Sequence, residues 1–272
     1  MKRSILAAVA LIGAGSAAFA QSPVQRGEYL VNSILNCGNC HTPHGPAGAE
    51  KPFAGGNLFD ESPAFKVYST NLTPDKETGL GNWTAAQIKR AIMEGVRPDG
   101  KTLAPIMPSG FYTGLTPRDA DAIVAYLRSL KPVKNEIPAP QYMVPLKHAK
   151  LPAPGKLSRK EKRGHYLATI GHCMECHTPM EKGELLAATS LGTGGREFKG
   201  PWGVATSRNI TSDKAKGLGS WTDAEIRRAI TQGISKNGDK LKPPMGYAAY
   251  AKMSDKDLGD LIAYLRKVPA KQ

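Results

Sequence analysis

The strongest constraint on this chain is that it contains the same unit twice. RGEYLVNSILNCGNCHTP (Arg26 to Pro43) returns as RGHYLATIGHCMECHTP (Arg163 to Pro179), one residue shorter. STNLTPDKETGLGNWTAAQIKRAIMEG (Ser69 to Gly95) returns as SRNITSDKAKGLGSWTDAEIRRAITQG (Ser207 to Gly233). From Trp83 onward the matches, Met107 with Met245 and Tyr126 with Tyr264 among them, stand 138 residues apart. A unit of roughly one hundred residues is too long for a solenoid repeat. The reading is two tandem domains, 21–131 and 159–272, joined by a Pro- and Lys-rich linker over 132–158 that lies extended along the surface.

Each domain is expected to be helical. Leu258, Leu261, Ile262, Leu265 and Val268 share one helix face, as do Ala120, Ile123, Val124, Leu127 and Leu130. Ser254 and Thr116 are the N-caps, with Pro117 at the first helical position. Thr84 with Gln87, and Thr222 with Glu225, are capping boxes for a second helix. A third runs from about Arg26, or Arg163, into the first cysteine of each unit. No segment carries sustained strand alternation, so the expected class is all-α, with Gly/Pro-rich loops around a large apolar group.

The N-terminal residues read as an export leader over 1–20, with Lys2 and Arg3, an apolar run from Ile5 to Ile12, and Ala18-Phe19-Ala20 as the cleavage site. The expectation is a periplasmic protein without a membrane span in its mature chain. The formal charge of +14 falls to +12 without the leader. Such an excess favours acidic partners, and outside the cytoplasm these are acidic protein surfaces rather than nucleic acid.

The chain has four cysteines, in NCGNCHTP and HCMECHTP. An oxidising compartment ordinarily pairs four cysteines as two disulfides, but here each pair is three apart and followed at once by histidine. Two residues between cysteines put both sulfurs on one side of a helical turn, within reach of the two vinyl groups of a porphyrin, while the histidine faces the iron. This is the attachment signal of c-type haem. It assigns Cys37, Cys40 and His41 to one covalent haem c and Cys173, Cys176 and His177 to another. A zinc site would need its Cys-x-x-Cys units far closer in sequence, and a thioredoxin-like pair would need a βαβ setting.

An electron-carrying haem takes a second axial ligand, commonly methionine. Met107 and Met245 are the matched pair, beside proline and 66 and 68 residues after their histidines. Met174, Met93 and Met253 read as packing residues. His44 and His172 flank the motifs without counterparts and are expected to be exposed, axial ligation being the alternative. Trp83 and Trp221 either close the haem pocket or simply pack. The Asn-x-Thr patterns at Asn71, Asn82 and Asn209 read as loop and cap residues rather than glycosylation sites.

The shared pattern RG-x-YL, the haem motif, N-[LI]-T-x-D, GLG-x-W-T, the Pro-flanked methionine and AYLR resembles the dihaem c-type cytochromes built from two class I-like domains. It is similar to the cytochrome c subunits of bacterial membrane-bound alcohol and gluconate dehydrogenases. The resemblance implies His/Met ligation of both irons and electron transfer between a dehydrogenase and a respiratory acceptor, without substrate chemistry in this chain. Those subunits carry three haem domains and a C-terminal membrane-attaching segment. The two units here make a soluble carrier the expectation, peripheral on the membrane at most through a partner. The alternative is a dihaem oxidoreductase, peroxidase-like or a small-substrate dehydrogenase, with one open iron.

Overall fold

The computed structural model describes residues 21–144, 148–149, 151–181 and 184–272; the leader expected at 1–20 lies outside them. In the first unit, helix α1 (Pro23–Asn32) opens on a capping box between Ser22 and Gln25. The short turns α2 (Gly38–His41) and α3 (Ala47–Glu50) follow, then strands β1 (Leu58–Glu61) and β2 (Phe65–Tyr68) and helices α4 (Ala85–Glu94), α5 (Ser109–Tyr112) and α6 (Pro117–Ser129); strand β3 (Gln141–Tyr142) lies in the segment between the units. The second unit repeats the plan: α7 (Arg159–Ile170), α8 (Cys173–Cys176), β4 (Met180–Glu181), β5 (Glu184–Leu185), α9 (Ala187–Ser190), β6 (Glu197–Gly200), β7 (Gly203–Thr206), α10 (Asp223–Gln232), α11 (Tyr247–Tyr250) and α12 (Asp255–Leu265). The Thr84–Gln87 and Thr222–Glu225 capping boxes open α4 and α10, and Thr116 and Ser254 cap α6 and α12.

The first and last helices of each unit cross, α1 on α6 and α7 on α12. Glycine at the crossing point makes this possible. A Cβ on Gly27 would stand 2.0 Å from the Ala122 carbonyl oxygen, and one on Gly164 would stand 1.9 Å from that of Asp260. Beside each crossing an arginine of the first helix grips an aspartate of the last: Arg26 donates from Nε and Nη2 to Asp119 at 2.9 Å each, and Arg163 reaches Asp257 at 3.1 Å. Around the crossings lie Leu30, Val31, Ile34, Leu35, Ile123 and Leu127 in one unit and Leu167, Ile170, Leu258, Leu261 and Leu265 in the other, in one continuous core. Full burial of each large aliphatic side chain contributes about 1.5–3 kcal/mol.

The all-α expectation needs correction, because short antiparallel ladders interrupt the loops. β1 pairs with β2 (Leu58 opposite Tyr68, Glu61 opposite Phe65), β3 of the inter-unit segment adds to β2 (Phe65 opposite Tyr142), and β6 pairs with β7 (Glu197 opposite Thr206). Phe65 and Val67 on β2 are buried while Lys66 and Tyr68 are less so, which is strand alternation. It lasts four residues, too few for a period of two to stand out from a Gly/Pro-rich loop.

The helix crossing yields a stability prediction. Gly27→Ala and Gly164→Ala should each destabilise the protein by about 1–3 kcal/mol or more, because the new methyl meets backbone that cannot rotate away. Thermal or denaturant melts of the two variants check it, and Gly259→Ala, where a Cβ meets no heavy atom within 4 Å, should be close to neutral.

Candidate functional site: two paired cysteine–histidine turns

Each cysteine motif starts at a residue in the left-handed region, Asn36 with φ 47° and His172 with φ 40°. This bends the chain out of the first helix and into a single turn. Within it Cys37 O accepts from Cys40 N at 3.3 Å and His41 N at 2.9 Å, and Cys173 O accepts from His177 N at 3.1 Å. The helical spacing brings two thiols and an imidazole together, as the motif requires. All four cysteines are free. Burial pushes the Cys37 and Cys173 thiols up to about 12; burial, then the Glu175 carboxylate, pushes Cys40 up to about 11.

The threonine after each histidine ties the turn to the next loop: Thr42 Oγ1 accepts from Phe53 N, and Thr178 Oγ1 from Gly192 N, both at 3.1 Å. Both histidines are oriented alike. His41 Nδ1 lies 2.7 Å from the Thr70 carbonyl and His177 Nδ1 2.6 Å from that of Arg208. A carbonyl can only accept, so Nδ1 carries the proton and Nε2 keeps its lone pair for a metal. Burial holds both imidazoles below the usual histidine range, opposed in part by those same carbonyls. They are neutral at physiological pH, as a metal ligand must be.

The two carbonyls are held in turn by the Asn-x-Thr segments. Asn71 Oδ1 accepts from Thr73 N and Oγ1 at 3.0 and 2.7 Å, while its Nδ2 donates to Val133 O at 2.7 Å. Asn209 repeats this with Thr211 and the Lys271 carbonyl. Each asparagine pins the chain leaving the last helix against the loop that orients the histidine. Asn71 is 2% exposed, its amide engaged as a loop and cap residue. The turns at Trp83 and Trp221 are fixed in the same matched way, by Arg128 and Arg266 of the AYLR segments donating to the tryptophan carbonyls. Both indoles pack against the core.

Met107 and Met245 sit on equivalent loops, between α4 and α5 and between α10 and α11, each half-buried. Met107 packs on the core; Met174 and Met253 are core residues, and Met93 lies against it. His44 is exposed, as expected. His172 is not: it lies at the seam between the units, its ring edge-on to Tyr112 at 6.2 Å and its Nδ1 3.0 Å from the Glu175 carboxylate. Across the same seam a Cβ on Gly246, next to Met245, would stand 2.3 Å from Asn36 Nδ2, next to Cys37. The two cysteine turns therefore border one interface. Tyr112 and Tyr250 there belong to no motif and are signalled only by their match in the repeat, while Glu175 fills a variable position of the second Cys-x-x-Cys unit.

The arrangement fits two covalent haems, one per unit, with two sulfurs for attachment and one oriented imidazole nitrogen each. Residues 24–131 and 162–269 both match the family model described as Cytochrome c. The chain is 32% identical over 270 residues to the fructose dehydrogenase cytochrome subunit of Gluconobacter japonicus, covering 91% of this chain and 53% of that one. It is 33% identical over 269 residues to the alcohol dehydrogenase (quinone) cytochrome c subunit of Gluconobacter oxydans, covering 91% and 55%. A diheme cytochrome c-type protein of Cereibacter sphaeroides matches at 27% identity along 99% of both chains. The chain thus spans about half the length of the dehydrogenase subunits it matches.

Asn71→Ala should cost about 2–4 kcal/mol in a denaturant melt of the haem-loaded protein, since it strips partners from a buried amide, a hydroxyl and a carbonyl. Asn209→Ala removes a more exposed set and should cost less.

Proposed function

The chain belongs to the cytochrome c family and carries two covalent haems, and we propose that it is a periplasmic electron carrier working between a dehydrogenase and a respiratory acceptor. The observation that supports this most is the doubled turn in which two thiols precede a histidine whose Nδ1 is held by a backbone carbonyl. In this reading Cys37 and Cys40 hold one haem and Cys173 and Cys176 the other, with His41 and His177 as one axial ligand and Met107 and Met245 as the second. Bound there, haem c supplies one reversible one-electron couple per unit; the protein supplies attachment, orientation and a dry surrounding.

The units do this unequally. Phe53 occupies the position of Gly192, and the buried Phe111 that of Ala249. The smaller residues at Gly192 and Ala249 support the second unit as the more open of the two and the face for exchange with a partner. The relatives named as dehydrogenase subunits support a dehydrogenase as one partner. The excess positive charge supports docking on acidic surfaces. Among the described residues no helix is long and apolar enough to cross a membrane.

Met107→Ala and Met245→Ala should each remove half of the long-wavelength band of ferric sulfur-ligated haem, lower one of two potentials and admit carbon monoxide, while the mass of two haems stays on the chain. An unchanged spectrum in either variant overturns that ligand. Electron exchange with the native partner should slow steeply as salt is raised, because attraction between exposed charges is screened over about 8 Å at physiological ionic strength. A second-order rate indifferent to salt in stopped-flow mixing would leave the charge no part in docking.

A further inference from the structure

The two units exchange a tyrosine. Tyr29 on α1 of the first unit reaches the start of α12 in the second: its hydroxyl donates to Asp257 Oδ2 at 2.9 Å and accepts from Ser254 N at 3.1 Å. Tyr166 on α7 of the second unit does the same at the start of α6 in the first, donating to Asp119 Oδ2 at 2.6 Å beside the Thr116 backbone. Ser254 and Thr116 are the N-caps of α12 and α6, and each aspartate's own N–H is the one bonded by the cap side chain. The first helix of each unit therefore completes the N-terminus of the last helix of the other.

The exchange is built into the helix crossings. The same aspartates hold Arg26 and Arg163 of their own units, and each arginine stacks on the ring of its own unit's tyrosine, at 5.4 Å for Arg26 on Tyr29 and 5.2 Å for Arg163 on Tyr166. Burial alone would raise the Asp119 carboxyl, yet hydrogen bonds from Arg26 and Tyr166 hold it below the usual range. Burial, then Asp119, pushes the Tyr166 phenol up to about 12. The pair thus stays a neutral phenol on a carboxylate through the physiological range. A hydrogen bond from phenol to a charged carboxylate is among the stronger kinds.

The consequence lies at the other end of the same helices. Tyr29 stands eight residues before Cys37, and Tyr166 seven before Cys173. Each helix is anchored in the opposite unit at the tyrosine and carries its own cysteine turn at its far end. Between the anchors the seam is tight: a Cβ on Gly171 would meet Ile34 Cδ1 at 2.8 Å. We propose that Tyr29 and Tyr166 are reciprocal positioning residues that fix the two cysteine turns relative to one another and so set the coupling between the two haems. This rests on the reading above that each turn holds one redox-active haem.

The test uses the full haem-loaded chain and the double variant Tyr29→Phe/Tyr166→Phe, which keeps both rings and removes only the hydroxyls. Magnetic dipolar broadening between the two ferric centres should weaken in electron paramagnetic resonance. Electron equilibration between the haems after flash reduction should slow severalfold, because transfer between two centres weakens as their separation and orientation are no longer fixed. Each haem's optical spectrum should stay that of the parent, which a loss of folding would not allow. Should the double variant fail to load haem, the single variants are read by the same measurements and should show smaller shifts in the same direction. Parent-like coupling and rate in every variant that folds would overturn the proposal. A parent carrying fewer than two redox-active haems would instead overturn the reading it rests on. In that event, amide exchange at Asp119 and Asp257 still tests the anchor: faster in the variants if it holds, unchanged if it does not.

Discussion

Contact between the first and last helix of each unit, at a distance only glycine permits, is the constraint on which the rest of the structure depends. Side chains on both helices would keep the axes about 8–10 Å apart. Gly27 and Gly164 remove that spacing and let backbone touch backbone. Arg26 and Arg163 can then grip Asp119 and Asp257 across the crossing. Because each aspartate lies in the first turn of the last helix, it places its carboxylate where the helix dipole favours negative charge. It also presents a carboxylate oxygen toward the neighbouring unit. The tyrosine that binds this oxygen comes from the partner helix of the same design. The RG-x-YL segment is thus one device with four parts: glycine for approach, arginine for the intra-unit grip, tyrosine for the inter-unit grip, and leucine for the core.

A second chain of dependence leads from the loops to the histidines. The segment that leaves each last helix is pinned by an asparagine amide, and the same asparagine closes the loop whose neighbouring carbonyl receives the histidine proton. Glycines at Gly55 and Gly194, both with positive φ, bring the backbone against that loop and donate to the histidine carbonyls at 2.8 Å. The imidazole is therefore held through its ring nitrogen and its main chain at once. Its orientation does not depend on the loops that bear Met107 and Met245.

Much of this was legible in the sequence, for identifiable reasons. The duplication, the apolar faces of the last helices, the caps at Thr116 and Ser254, and the two capping boxes are local or periodic signals and appear where the pattern puts them, except that α6 and α12 stop at Ser129 and Leu265, short of Leu130 and Val268. The hairpins were not legible, because ladders of two to four residues do not repeat often enough to be seen. His172 departs from the expectation of exposure because no histidine stands at the matching position, Asn36, and its neighbour, Tyr112, belongs to the other unit. The tyrosine exchange is the clearest case. Tyr29 and Tyr166 were visible as a repeated residue, but a repeat compares each unit with its copy and carries no information on how the copies pack.

What the two copies share and where they part can be separated on physical grounds. The shared positions are those that hold backbone to backbone: the crossing glycines, the asparagine pins, the arginines on the tryptophan turns, the cysteine–histidine turns themselves. A substitution at any of them leaves a polar group unpaired or two atoms overlapping, costs of the same kind in either unit. The divergent positions fill the space around each turn: Phe53 against Gly192, Phe111 against Ala249, Asn36 against His172. The two units differ there in burial and local charge while keeping the same frame. Burial and nearby charge are the levers by which a protein sets the potential of a bound haem. The frame that makes the units alike therefore leaves free the residues that can make their cofactors differ, a requirement for moving an electron in one direction through a chain that contains the same unit twice.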